Sequence, residues 1–271
     1  MQPAEPGEMR RSRLRIGQSM KQQAAHMRLL IINPNTTAVV TARVAAAART
    51  ALPGVEVNSS TGRFGAAYIS SRASFAVAGH AALDCLAEDG SGTDAVLLAC
   101  FGDPGLDALR EVSPVPVIGL VEAACREASI GGRRFAIVTG GERWASMLIE
   151  MIHMRGLQNG LVTIHTVAPT GGQIAEDPDG ALDLLASSCR DCAQRHGAEA
   201  VILGGAGLLG LAGRIQPRCD VPVICSVEAG FRASADALAR RERSDVETVT
   251  TPSVGLSPAL AAVFETGRLR G

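Results

Sequence analysis

The chain has 271 residues, with 26 Lys plus Arg against 27 Asp plus Glu and a formal net charge of −1. That balance gives no electrostatic basis for binding nucleic acid, the 46% hydrophobic composition excludes general disorder, and no apolar run approaches membrane-spanning length. The length holds one large domain or two compact ones, and with aromatics at 3% the core has to be built from Ala, Val, Leu and Ile.

Residues 1–27 carry Arg10, Arg11, Arg13, Arg15 and Lys21 against Glu5 and Glu8, with little to bury, and are expected to form a flexible arm. The two glutamates count against a targeting peptide. Order starts with the apolar run 29–32, which ends in Asn33-Pro34-Asn35-Thr36-Thr37. A shorter run at 55–57 precedes Gly62-Arg63-Phe64-Gly65, and further runs follow at 95–99, 115–118, 135–138, 200–203 and 221–224. Continuous runs of this length suggest strands covered on both faces. Ala-rich stretches of helical length, such as 73–88 and 181–196, lie between them, so the pattern is α/β with parallel sheets.

The chain also repeats itself. A shift of 105 lays Ala95-Val96-Leu97-Leu98 on Ala200-Val201-Ile202-Leu203, and a shift of 106 lays Val115-Pro116-Val117-Ile118 on Val221-Pro222-Val223-Ile224. The second match continues, with Val121-Glu122-Ala123 falling on Val227-Glu228-Ala229. Two similar halves with approximate two-fold symmetry follow. The expected division is 28–124, completed by 235–271, and 125–234. Ligands of parallel sheets bind beyond the carboxyl ends of the strands, so two such halves would share one cleft. Gly204-Gly205-Ala206-Gly207 fits neither a dinucleotide fingerprint nor a P-loop.

Seven cysteines, Cys85, Cys100, Cys125, Cys189, Cys192, Cys219 and Cys225, make an odd number with no secretory apolar segment ahead of them. Reduced thiols and a cytoplasmic location are expected. Cys189-Arg190-Asp191-Cys192 lies in a helical stretch without a second pair or a histidine cluster, so no metal site is expected.

Cys100 ends a strand run and precedes Phe101-Gly102-Asp103-Pro104. Asp103 as N-cap and Pro104 at the first helical position predict a helix starting there, whose amino end would lower the thiol pKa, an effect that Asp103 opposes if its carboxylate points at the sulfur. A buried, inert cysteine is the plain alternative. Asn35 and Thr36 are placed to hold a carbonyl or carboxylate, or simply to turn the chain and cap the next helix. Thr139-Gly140-Gly141 is their repeat partner, with backbone N–H groups suited to an anion or to a tight turn. Glu122 and Glu228 match each other and suit a helix start. His80, His153, His165 and His196 form no hydrolase arrangement with Ser or Asp.

Leu30-Ile31-Ile32-Asn33-Pro34-Asn35-Thr36 resembles the opening of hydantoin racemases, within the aspartate/glutamate racemase superfamily. Ala99-Cys100-Phe101-Gly102-Asp103-Pro104-Gly105-Leu106 is similar to their first cysteine motif, and Val115-Pro116-Val117-Ile118-Gly119-Leu120-Val121-Glu122-Ala123 to the segment after it. The likeness covers residues 28–235. It implies two pseudosymmetric Rossmann-like (flavodoxin-like) α/β domains with an interdomain active-site cleft, and proton transfer at an acidic carbon without cofactor or metal.

The resemblance also implies a cysteine on each side of the substrate, one thiolate removing a proton and one thiol returning it to the other face. The second should stand in Leu203-Gly204-Gly205-Ala206-Gly207, where this chain has Gly205. The internal repeat puts Gly205 opposite Cys100 as well. A racemase or isomerase acting on a small carboxylate or cyclic amide is the first reading. An arylmalonate-decarboxylase-like lyase, with Cys100 protonating one face, is the second, and a binding protein that has lost its activity is the third. Cys225, at the repeat position of Gly119, would restore a second base if it reached the cleft, and nucleophilic catalysis by Cys100 is a further option. The expected catalytic residues are Cys100 and Cys225. Asn35, Thr36, Phe101, Gly102, Glu122, Thr139, Gly140, Gly141, Gly205 and Ala206 are the expected substrate contacts. No membrane or nucleic-acid partner is expected, and homo-oligomers are common among such enzymes.

Overall fold

The structure is a computed structural model that describes residues 27–241, 243 and 250–269. The expected arm, 1–27, lies outside these residues except for Met27, which opens the first strand.

Strands β1 (Met27–Asn33), β2 (Val55–Thr61), β3 (Ala95–Leu98) and β4 (Val117–Gly119) form a parallel sheet in the order β2-β1-β3-β4. Strands β5 (Phe135–Gly140), β6 (Leu161–Val167), β7 (Ala200–Gly204) and β8 (Val223–Cys225) form a second in the order β6-β5-β7-β8. The registers repeat with the sequence. Leu29 faces Ala95 and Val96 faces Val117 in one sheet, while Phe135 faces Ala200 and Val201 faces Val223 in the other. The prolines of the two Val-Pro-Val-Ile runs sit just before β4 and β8, where their carbonyls accept from Val96 and Val201 and their missing N–H is not needed. The parallel α/β architecture in two pseudosymmetric halves is as the sequence implied.

β6 had no counterpart among the apolar runs. Leu161-Val162-Thr163-Ile164-His165-Thr166-Val167 is an edge strand, mostly half-buried, and mixes polar with apolar residues.

Helices α1 (Ala38–Ala51), α2 (Arg72–Asp89), α3 (Leu106–Val112) and α4 (Leu120–Ala128) belong to the first repeat. In the second are α5 (Trp144–Met154), α6 (Gly171–Glu176), α7 (Pro178–His196), α8 (Leu211–Ile215) and α9 (Ser226–Arg240), and α10 (Pro258–Thr266) follows. Ser71 and Ser74 close a capping box on α2, and Asp177 with Pro178 starts α7, so both long helices begin on strong local signals. One face of the first sheet, through Leu30, Ile32, Val96 and Leu98, packs with Leu86, Leu109 and Leu260 of α2, α3 and α10. Its other face joins the second sheet in a single core.

The joint is made by α4 and α9, each following the last strand of its sheet. They pack on each other, α9 also on β3 and α4 on β7. Gly230 permits the approach: a β-carbon there would stand 2.6 Å from Leu120 Cδ2 and 3.0 Å from Leu97 Cδ1. Arg232 and Glu127 add an ion pair across the joint at 2.9 Å.

Candidate active site

A cavity of about 110 Å³ opens where the carboxyl ends of β1, β3, β5 and β7 meet. The first half lines it with Asn35, Thr37, Tyr68, Cys100 and Phe101, and the second with Thr139, Gly140, Trp144, Gly171, Gly172 and Gly204 through Leu208. No charged side chain is among the described lining residues.

Cys100 is 9% exposed. Burial pushes its thiol well above the usual range, and the negative charge of Asp103 adds to the effect. This reverses the expected lowering, and the local fold gives the reason. No helix starts at Asp103-Pro104; α3 begins at Leu106, behind Gly105 in the left-handed region at φ 75°. Asp103 turns inward at φ 49° and accepts from the N–H groups of Val121 and Glu122, both at 3.1 Å. It caps α4 rather than its own helix, so no amino end is offered to the sulfur. Burial raises the Asp103 carboxyl to about 6, against the pull of those two N–H groups and of Arg155. Cys100 therefore holds its proton at neutral pH.

Gly205 lines the cavity from the second half at φ +134°, a conformation that side-chain-bearing residues rarely adopt. A β-carbon there would meet only Leu208 Cδ1, at 3.2 Å. Its neighbour Gly204 is covered by Phe101, whose ring occupies the place of any side chain on Gly204. Thr139 Oγ1 donates to Gly204 O at 2.8 Å. Asn35 Oδ1 accepts from Asn33 Nδ2 at 2.8 Å and Thr37 N at 2.9 Å, which holds the loop and leaves the Asn35 amide N–H groups without a partner among the described residues.

Not every expected contact lies here. Thr36 is exposed, and Thr37 takes its place on the lining. Gly102, Glu122, Gly141 and Cys225 do not line the cavity. Gly102 is covered by the Trp144 indole. The N–H groups of Gly102, Gly141 and Gly205 are taken by Cys100 O, Val167 O and Ser226 Oγ at 2.9, 2.8 and 3.1 Å. Those of Ala206, Gly207 and Gly172 stand instead in the first positions of two short helical turns, which leave such donors without an internal acceptor. Burial works to raise the Glu122 carboxyl, but Arg110 and Arg126, each 2.7 Å away, outweigh it and hold it below its ordinary value. Cys225 is buried at the start of α9; burial raises its thiol, partly offset by the N–H groups of Glu228, Val227 and Gly210 around the sulfur.

Tyr68 and Phe101, loop positions on which the sequence let substrate preference depend, both line the cavity, whereas Trp144, Gly171 and Leu208 had not been placed on the site. Trp144 carried one usable signal, since it is the sole tryptophan in the chain. Among the described residues no group of three or more His, Cys, Asp or Glu is placed to hold a metal, and all seven cysteines are free.

Two parallel-sheet halves thus meet around a cysteine-bearing cleft. The chain belongs to the Asp/Glu/Hydantoin racemase family, whose model matches residues 29–234. It is 35% identical to the hydantoin racemase of Paenarthrobacter aurescens over 218 residues, 79% of this chain and 92% of that one. The allantoin racemase from Klebsiella pneumoniae superposes with a TM-score of 0.80 at 29% identity, covering 86% of this chain and 98% of the other. That from Pseudomonas fluorescens does so with a TM-score of 0.77 at 26% identity, covering 87% and 96%.

Proposed function

We propose that this enzyme moves a proton at the acidic carbon of a small hydantoin-like cyclic amide or carboxylate, with Cys100 as the catalytic acid and base. The observation that carries the reading is the cavity itself: among its described lining residues Cys100 is the one cysteine, and Gly205 is among those the second half contributes. A lining without charged side chains suits an uncharged ring better than a dicarboxylate, because a buried unpaired charge is costly. The Asn35 amide and the N–H groups of Gly172, Ala206 and Gly207 supply directional donors for the oxygens on which negative charge develops.

In the racemase-type reaction the thiolate of Cys100 takes the proton of the acidic carbon. The raised thiol pKa makes the thiolate scarce at neutral pH and a strong base when formed. Return of the proton by Cys100 restores the same configuration. Protonation of the other face falls to solvent, because the Gly205 wall carries no acid.

The protonated state of Cys100 favours a second reading, an arylmalonate-decarboxylase-like lyase. There the bond to a departing carboxylate breaks, its electrons stay on carbon as carbon dioxide leaves, and the thiol proton moves to that carbon. Solvent then reprotonates the sulfur.

Incubation with an enantiopure 5-substituted hydantoin in deuterated water tests both. Label entry with retained configuration supports Cys100 acting on one face, and entry with inversion supports transfer on both. Carbon dioxide release from an arylmalonate, without hydantoin exchange, selects the lyase. Neither exchange nor release overturns both readings.

A further inference from the structure

Tyr68 and Trp144 both line the cavity, come from opposite halves, and each takes hold of the other half. Tyr68 lies between β2 and α2, in a segment tied to the β1 loop by Thr36 N–H to Ala66 O at 3.2 Å and Thr37 Oγ1 to Ala67 O at 2.8 Å. Among the described residues, the hydrogen-bond partners of its hydroxyl all belong to the second half. It donates to Gly140 O at 3.1 Å, accepts from Trp144 Nε1 at 3.2 Å, and meets the backbone N–H of Gly171.

Trp144 reaches the other way. Its indole stands edge-on to Phe75 of α2, with ring centroids 6.5 Å apart at 73°. It also fills the place of a side chain on Gly102, where a β-carbon would lie 2.7 Å from the ring. Gly102 is two residues beyond Cys100. Gly141, at φ +91°, makes room for both groups: a β-carbon there would be 2.8 Å from the Tyr68 hydroxyl and 3.3 Å from Trp144 Cδ1.

We propose that the Tyr68–Trp144 hydrogen bond is a clasp that sets how far the cleft closes and thereby positions Cys100 against the Gly205 wall. Tyr68 is then a positioning residue, and the proposal rests on the cavity being the site of reaction. Other polar links between the halves are the ion pairs Arg72–Glu150 and Arg155–Asp107 and the hydrogen bond that Arg43 donates to Ala175 O at 3.4 Å. Arg72–Glu150 is exposed on both sides and contributes little, and in Arg155–Asp107 the carboxylate stands 73% exposed. The clasp is more enclosed, with Trp144 only 6% exposed, and it stands on the cavity wall. Burial keeps the phenol protonated, so Tyr68 remains a donor to Gly140 through the neutral range.

The test compares Tyr68→Phe, Trp144→Phe and the double variant with the parent protein. As Trp144 is the sole tryptophan, its emission and its quenching by acrylamide report on the clasp directly. Tyr68→Phe should make Trp144 about twofold or more easier to quench. It should lower kcat for deuterium exchange into 5-methylhydantoin by about tenfold while KM stays within about twofold, as expected for a misplaced thiol. Trp144→Phe should lower kcat similarly, and the double variant no further than either single one. Unchanged quenching in Tyr68→Phe, or kcat losses that multiply in the double variant, would overturn the clasp. If the parent protein exchanges no label, the functional reading fails by itself and the quenching still decides the clasp. Cys100→Ser, which should lower exchange by about 10²–10⁴-fold and leave quenching as in the parent, keeps the two outcomes apart.

Discussion

Asp103 and Cys225 satisfy equivalent backbone groups in the two halves. The Asp103 carboxylate accepts from the N–H groups of Val121 and Glu122 at the start of α4. The Cys225 sulfur meets those of Val227 and Glu228 at the start of α9, 106 residues further along. Gly119 holds the repeat position of Cys225, and a side chain on it would run into the Asp103 carboxylate. One slot is thus filled by a neighbouring loop in the first half and by the strand's own thiol in the second.

Cys100 and Cys225 should therefore separate cleanly on substitution. Cys100→Ser should lower exchange or decarboxylation by about 10²–10⁴-fold with the fold retained. Cys225→Ala should keep the activity and lose about 1–2 kcal/mol of stability, because it leaves buried N–H groups unsatisfied. Turnover assays paired with thermal melts check both, and loss of activity in Cys225→Ala would return that thiol to the chemistry.

Asp103 gives stability a pH dependence of definite sign. Its folded pKa of about 6 lies above the ordinary value of 3.8, so the folded protein holds this proton more tightly than the unfolded chain does. The contribution, on the order of 3 kcal/mol, is fully present below about pH 4 and is lost as pH rises through about 6. The Tm advantage of the parent protein over Asp103→Asn should accordingly be larger at pH 4 than at pH 7. Melts across that range decide it, and a constant difference would contradict the assignment.

Gly205 holds a conformation that penalises any side chain. Gly205→Ala should cost about 1–3 kcal/mol, seen as a fall in Tm of about 2–4 °C per kcal/mol. Gly205→Cys should carry the same strain and, without a shift of the loop, should not give two-faced proton transfer. The configuration of labelled product in deuterated water reads this out.

Glu122 is held by Arg110 and Arg126 away from the cavity lining. Glu122→Gln should leave kcat and KM within about twofold and cost about 1 kcal/mol, since both guanidinium groups are partly exposed. Steady-state kinetics and a melt suffice.

The strands around the cavity were legible because β1, β3, β5 and β7 are covered on both faces and consist of unbroken apolar runs. The repeat fixed which strand ends would meet, and with them Asn35, Cys100, Thr139 and Gly205. What escaped is tertiary in origin. The Asp103-Pro104 pair is a sound local signal for a helix start, but the carboxylate finds better donors at Val121 and Glu122, which no local pattern reveals. Glu122 and Cys225 were placed near the site because they follow strand ends, whereas helix starts and guanidinium partners hold them elsewhere. Gly171 and Gly172 reach the cavity from the first turn of α6, which follows β6, the strand whose mixed edge pattern concealed it.

The reciprocal packing of α4 and α9 bears on how such a chain arose. A polypeptide containing one repeat alone would have its last helix projecting from the sheet, with the apolar stripe bare to water. Association with an identical copy would cover it about a two-fold axis. Within one chain that covering is permanent and independent of concentration, and the two copies need not be alike: the loop after β3 carries Cys100 where the loop after β7 carries Gly205.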